Sequence, residues 1–382
     1  MPEIIGTAAK VAAIAIFLAI WGGLNYYVGW RGWYYFGNNN YAFKYVYGAA
    51  ITFLACSYLL GRWGNSHWPG MLSDGLIWIG SYWMAFLVYG LLACLLADLI
   101  RYMDRLWNFL PNLFHQNYRM VAAVVLLSII GLLIYGTINA VHPVINRYRV
   151  VIPKTAGERE SLHIVMVSDL HLGNLVDNNQ LRSMVKQINR LHPEIVLMAG
   201  DIIDGDSQPF EEQHMAKTLR LLKAPLGVYA VPGNHEYLGG QYRQLLKDLQ
   251  DSGVVVLRDQ NLWLDGFYLA GRDDRISRQR KPLREVISGV DNHFPLILMD
   301  HNPADIKEAE KNRVDLQLSG HTHAGQFWPL NFFTEKMFLQ DWGYLHRGDT
   351  QIIVSNGYGT WGPPVRIGNR PEIVEIWVEF EK

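Results

Sequence analysis

Five apolar, strand-like runs in the second half of the chain each end in residues able to ligate a cation, and this recurrence constrains the fold more than any other feature. Val165-Met166-Val167 leads to Asp169 and His171, Ile195-Val196-Leu197-Met198 to Asp201 and Asp204, and residues 228–231 to Asn234 and His235. Residues 296–299 lead to His301, and Val314-Asp315-Leu316-Gln317-Leu318 to Ser319-Gly320-His321-Thr322-His323. A buried strand closed by a tight turn delivers such side chains to the carboxyl edge of its sheet, where open α/β sheets keep their sites. Two histidines one residue apart mean little alone. Five clusters of imidazole, carboxylate and amide, none with cysteine, are a different matter.

Helical periodicity fills the gaps between the first runs, at about residues 179–191, 211–222 and 241–250. This βαβ alternation builds a largely parallel sheet. Asp265-Gly266, between short apolar runs, signals a hairpin. Residues 372–380 alternate as a closing strand, with Ile373, Glu375, Trp377 and Glu379 against Val374, Ile376, Val378 and Phe380.

The blocks Asp169-Leu170-His171, Gly200-Asp201-Ile202-Ile203-Asp204, Gly233-Asn234-His235-Glu236, His301 and Gly320-His321-Thr322-His323 stand in the order D-x-H, G-D-x-x-D, G-N-H-D/E, H, G-H-x-H. In this the chain resembles the calcineurin-like metallophosphoesterase family from about Leu162 to its C-terminus. The tail Ser355-Asn356-Gly357-Tyr358-Gly359-Thr360, with Pro363-Pro364-Val365-Arg366 and Pro371-Glu372-Ile373, is most similar to a membrane-associated branch. That branch includes bacterial UDP-diacylglucosamine pyrophosphatases and related lipid-linked phosphodiesterases.

The resemblance implies an α/β fold, a two-sheet sandwich flanked by helices, and two divalent ions, which hydrolyse phosphoesters by activating water and neutralising phosphoryl charge. One ion would take Asp169, His171, Asp201 and His323; the other would share Asp201 and add Asn234, His301 and His321. Such a set without thiolate suits manganese first, with iron or zinc as alternatives. His235 would protonate the leaving oxygen or steady the phosphoryl group, with Glu236 orienting its ring. Asp204 would orient a ligand rather than bind metal. Arg272 and Arg366, in turns resembling family blocks, are candidates for pairing substrate phosphate. His163, His192, His214, His293 and His346 lack strand-end partners and read as ordinary packed or solvated imidazoles.

The first 148 residues are of another kind, poor in charge and rich in tryptophan, tyrosine, glycine and leucine. Apolar runs at residues 8–28, 45–60, 75–97 and 120–141 suit membrane spans, each needing about 20 residues, although the second is short. A removable signal peptide is the alternative for the first run alone. Trp21, Tyr26, Tyr27, Trp30, Trp33, Tyr34 and Tyr35 cluster as interfacial aromatic belts do. Residues 99–114 have a spacing that suits a helix lying in the interface, an ordinary loop being the alternative, and Asp98 is expected at headgroup level. The expected division is a transmembrane unit over 1–148, a polar linker over 149–161 and a catalytic domain over 162–382. Arg147, Arg149 and Lys154, crowding the exit of the last run, favour a cytoplasmic catalytic domain.

A net charge of −1 gives no support to a nucleic-acid partner, and two cysteines, Cys56 and Cys94, give no disulfide framework. Phe327, Trp328, Phe332, Phe333, Met337, Phe338, Trp342 and Tyr344 crowd one loop-like stretch beside the histidines. They read either as an apolar wall or foot for lipid, or as a loop packed on its own domain. The leading expectation is a membrane-anchored phosphodiesterase or pyrophosphatase acting on a lipid-linked phosphate at the bilayer. Its rivals are a tethered phosphomonoesterase or nucleotide phosphodiesterase, and a metal-binding scaffold without turnover.

Overall fold

The computed structural model describes residues 2–38, 40–65, 67–68 and 70–381. It divides into two compact units, Met1–Tyr135 and Gly136–Lys382.

The first unit is helical. It holds α1 (Pro2–Phe36), α2 (Tyr41–Gly64), α3 (Gly70–Trp107), α4 (Asn112–Gln116) and most of α5 (Tyr118–Ala140). Among the described residues, four helices are long and apolar enough to cross a membrane, within α1, α2, α3 and α5. The second is a full helix of 24 residues, because Asn40 caps it by accepting from the N–H groups of Ala42 and Phe43. Asp98 is held inside the unit by Tyr27, whose hydroxyl donates to it at 2.6 Å, and by an ion pair with Arg31. Residues 99–114 form no separate interfacial helix. Instead α3 runs on to Trp107, and Asp104 closes the turn by accepting from Leu110 N–H at 2.8 Å and pairing with His115.

The second unit is α/β. Its strands are β1 (Val144–Ile152), β2 (Ser161–Val167), β3 (Ile195–Ala199), β4 (Val228–Val231), β5 (Val255–Val256) and β6 (Gln260–Leu264). They continue as β7 (Phe267–Gly271), β8 (Leu296–Met299), β9 (Leu316–Ser319), β10 (Gly343–Arg347), β11 (Thr350–Val354) and β12 (Glu372–Phe380). Among the described residues they form two six-stranded sheets, ordered β1-β12-β2-β3-β4-β5 and β10-β11-β9-β8-β7-β6. The helices are α6 (Asn178–Leu191), α7 (Ser207–Glu212), α8 (Met215–Leu219), α9 (His235–Leu238), α10 (Tyr242–Asp251), α11 (Leu283–Val286), α12 (Ile306–Lys311) and α13 (Asn331–Met337).

Both faces of the central strands are covered, so they read as continuous apolar runs. In β2, Leu162, Ile164 and Met166 join the core shared by the two sheets, with Phe267, Ile297, Leu318 and Ile353. Val165 and Val167 face the other way, packing with Leu181, Met184 and Ile188 of α6. Each such side chain contributes about 1.5–3 kcal/mol by leaving water, enough to fix strand register.

The expected linker begins later than its polarity suggests. Residues 144–152 form an edge strand, parallel to β12 from Val144 opposite Glu372 to Ile152 opposite Phe380. One face of this strand is open to solvent, so exposed Arg147 and Arg149 alternate with half-buried Asn146 and Tyr148 and buried Val150. Arg147 pairs with Glu375 at 2.7 Å and Lys154 with Asp315 at 2.7 Å. Arg147 and Lys154 thus also take part in the domain's own ion pairs. The helix expected over 211–222 is broken into α7 and α8 at His214, which has φ 55°. The aromatic stretch, read as loop, contains α13 and β10.

Candidate metal centre and active site

The carboxyl ends of β2, β3, β4, β8 and β9 meet, and each turn sends its polar side chains to one place. Asp169, His171, Asp201, His321 and His323 hold left-handed backbone, with φ of 52°, 48°, 50°, 77° and 50°. Such conformations persist only where surrounding structure enforces them, and they gather at functional sites. Enforcement comes from hydrogen bonds across the strand ends: Asp169 N–H donates to Gly200 O at 2.9 Å and His171 N–H to Asp201 O at 3.0 Å. Close approach explains two motif glycines. A Cβ on Gly200 would lie 2.5 Å from His301 Nδ1, and one on Gly320 would lie 2.3 Å from Asp169 Oδ2.

Three groups of side chains converge: Asp169, His171 and His323; Asp201, His301 and His321; and His171, Asp204 and His235. Within each, the donor atoms lie within 4.8 Å of one another. Nε2 of His171 and Nε2 of His323 face each other at 3.0 Å. Asp201 lies between the first two groups, its Oδ2 3.2 Å from His301 Nε2 and 4.0 Å from His171 Nε2. His301 donates through Nδ1 to Ala199 O at 2.7 Å, which leaves Nε2 as its inward atom.

These residues fit a pair of cations. Buried polar atoms are normally hydrogen-bonded, yet Asn234 Oδ1 and His301 Nε2 are buried and make no hydrogen bond. The charge balance agrees. Burial alone would keep His301 neutral, but the adjoining Asp201 carboxylate draws its pKa well above the ordinary value. Burial would likewise raise Asp201, but His301 and then His171 hold it below the usual carboxylate range. A cation held at Asp201 would take the place of the proton that this carboxylate favours on His301. His323 is held neutral by burial and then by its neighbours His171 and Arg366, and His321 by burial and then His301. Neutral imidazole is the form that binds metal.

His235 stands beside this set, its ring edge-on to His171 at 4.5 Å. Its Nδ1 donates to Asp204 Oδ1 at 2.8 Å, and the same oxygen lies 3.6 Å from His171 Nδ1. Burial would lower the pKa of His235, but the Asp204 hydrogen bond and the charges of Asp201, Asp204 and Glu236 raise it. Glu236 does not orient that ring. It is fully buried and accepts from the N–H groups of Gly233 and Ile202 at 2.7 Å, Ile203 at 3.0 Å and Asp201 at 3.2 Å. Its work is to clamp the turn carrying Asp201, and Asp204 is the orienting carboxylate.

Neither candidate arginine is available to substrate. Arg366 is fully buried; its Nη2 donates to the carbonyls of Asn356 at 2.8 Å, Gly357 at 3.1 Å and Gly359 at 2.6 Å, and its Nη1 to Asn369 Oδ1 at 3.0 Å. Nη2 also lies 3.3 Å from His323 Nδ1, so this arginine braces a candidate ligand. Burial pulls its pKa down to about 10. Arg272 is consumed by Glu308 at 2.8 Å, Asp300 at 3.2 Å and the Lys281 carbonyl at 3.2 Å. Sequence reasoning missed Asn369, whose Nδ2 donates to His323 O at 2.9 Å and Ala324 O at 3.1 Å. Its signal was a lone amide three residues after Arg366. Among the other histidines, His163 is a packed residue, stacked on Trp377 and 3.1 Å from Glu375.

The family model described as Calcineurin-like phosphoesterase matches residues 162–325. A Danio rerio protein, "Transmembrane protein with metallophosphoesterase domain", is 30% identical over 328 residues, covering 81% of this chain and 74% of that protein. An "Uncharacterized metallophosphoesterase" of Helicobacter pylori is 33% identical over 223 residues, covering 57% of this chain but only 60% of that relative. Among solved structures, TT1561 of Thermus thermophilus is 14% identical with a TM-score of 0.36, over 52% of this chain and 90% of that one. The chain belongs to the calcineurin-like phosphoesterase family, whose members are metal-dependent phosphoester hydrolases.

Proposed function

We propose that this protein is a membrane-anchored, two-metal phosphoesterase that cleaves a phosphodiester or pyrophosphate bond in a lipid-linked substrate. The observation that carries the hydrolytic part is the convergence of imidazole and carboxylate side chains from the strand ends, with Asn234 Oδ1 and His301 Nε2 buried among them without a hydrogen bond. Asp169, His171, Asp201 and His323 would hold one divalent ion, and Asp201, Asn234, His301 and His321 the other, manganese being the first expectation. When bound, the ions supply Lewis acidity toward phosphoryl oxygens and lower the pKa of water toward neutrality.

The chain's own residues do the rest. Asp201, whose Oδ2 lies 3.2 Å from His301 Nε2 and 4.0 Å from His171 Nε2, would set the spacing of the two ligand sets by contributing to both. Asp204, bonded to Nδ1 of His235, leaves Nε2 of that ring to hold the proton that the departing oxygen takes up. Asp204 also keeps the ring in the tautomer and orientation that the transfer needs.

Support for a lipid-linked substrate comes from the four apolar helices and from the similarity of the tail to the lipid-active branch. A lipid phosphate is confined to the bilayer surface, so anchoring raises its effective concentration at the site. The direct experiment is hydrolysis of a panel of lipid and nucleotide phosphoesters by detergent-purified full-length protein with Mn²⁺, followed by phosphorus NMR. Turnover of lipid diesters or pyrophosphates is expected. Turnover of soluble nucleotides alone would replace this reading with that of a tethered nucleotide phosphodiesterase.

A further inference from the structure

The last turn of α5 lies in the second unit, and its neighbours there include an unusual surface. Gly136 O accepts from Arg366 N–H at 3.0 Å, and Asn139 Nδ2 donates to Arg366 O at 3.1 Å and Asn369 O at 2.6 Å. A Cβ on Gly136 would lie 2.5 Å from Val365 Cγ1, so helix end and loop are in direct contact. The same loop accepts the next segment, since Trp328 N–H donates to Ile367 O at 2.7 Å. α13 follows within a few residues. Here Trp328 is 52% exposed, Phe332 52%, Phe333 65% and Met337 74%, with Trp361 at 57% nearby in sequence to the loop.

Large aromatic side chains are rarely left in water in such number on one short segment. Phe333 and Met337 are four residues apart, hence on one side of α13, with exposed Lys336 beside them. Tryptophan, phenylalanine and a lysine whose stem lies along apolar surface while its ammonium reaches outward are what the headgroup boundary of a bilayer selects. The hydrogen bonds above tie this segment to the end of a helix long and apolar enough to span a membrane.

We propose that α13 with Trp328 forms a foot that enters the interfacial layer of the bilayer, at the level where α5 ends. The foot is also wired to the metal-ligand loop. Thr322 Oγ1 donates to Asp341 O, Thr334 of α13 donates to Asp341 Oδ2 at 2.8 Å, and the Phe338 ring lies 6.0 Å from that of His321. These contacts connect the foot to the loop that carries His321 and His323. The inference deepens the lipid-linked reading and rests on it only for the purpose of the contact.

The test uses full-length protein in vesicles of neutral and anionic phospholipid, with Cys56 and Cys94 replaced by alanine and one environment-sensitive fluorophore placed by Phe333→Cys. Met337→Cys is a second position, and Leu221→Cys, at an exposed site after α8, is the control. Lipids with a nitroxide high on the acyl chain should quench the label at 333 and 337 roughly twofold or more, as burial of about 5–10 Å requires, and iodide in the buffer should not. The control should behave in reverse. Iodide reaching 333 and 337 as readily as 221 would overturn the proposal. Protection from both quenchers would overturn it too, because a protein partner or second copy would then cover the face. No turnover enters this readout, so a foot that does not insert is distinguished from a lipid that is not hydrolysed.

Discussion

Asn234 Oδ1 and the guanidinium of Arg366 are both buried polar groups of one unit, and they are built in opposite ways. Asn234 Oδ1 makes no hydrogen bond, whereas Arg366 donates to the carbonyls of Asn356, Gly357 and Gly359 and to the side chain of Asn369. An unsatisfied buried group costs about 1–3 kcal/mol, a satisfied one does not. In this pair, Asn234 Oδ1 is left open to a ligand at a strand end, whereas Arg366 holds His323 and the loop of residues 356–359 in place.

The comparison can be broken most sharply at His235, which we place with the chemistry. His235→Ala should retain metal and fold while losing roughly 10² to 10⁴ in turnover, the usual worth of a positioned acid or base. Loss of metal from that variant would put His235 among the ligands. Arg366→Met should act the other way. Removing the guanidinium leaves the buried carbonyls of Asn356 and Gly359 without their donor, at about 1–3 kcal/mol for each acceptor orphaned, so the variant should melt earlier in detergent and His323 should slacken. A variant as stable as the parent would deny the bracing role.

Asp204→Asn should cost about 10- to 100-fold in turnover, as the loss of an orienting partner does, with metal content unchanged. Equal activity in this variant would leave His235 without the support assigned to it. The smallest effect is expected at Asn234. Asn234→Ala in chelator-treated protein should change stability by no more than about 1 kcal/mol, in either direction, because the group it removes is unpaired. A loss as large as that of Arg366→Met would erase the distinction.

Much of the centre was legible because each ligand sits within a few residues of a strand end, and the strands announce themselves as apolar runs, three of them closed by Gly200, Gly233 and Gly320. What escaped depended on which way a buried side chain points. Glu236 follows His235 directly, yet consecutive residues entering a helix do not face each other. It turns to the N–H groups of residues 201–203 and 233, while Asp204, distant in sequence, reaches the ring. Arg366 carried the charge of a phosphate-binding residue, and only its ring of carbonyl partners reveals a brace. β1 escaped because an edge strand wears charges on its open face, which local composition cannot tell from a linker.

Elemental analysis decides whether the strand ends hold two cations through a shared carboxylate. Full-length protein purified in detergent, supplied with Mn²⁺ and freed of loosely held ions, should carry two metal ions per chain, and Asp201→Ala should lose both or retain one weakly. A single tightly held ion in the parent, with the same content in Asp201→Ala, would contradict the account.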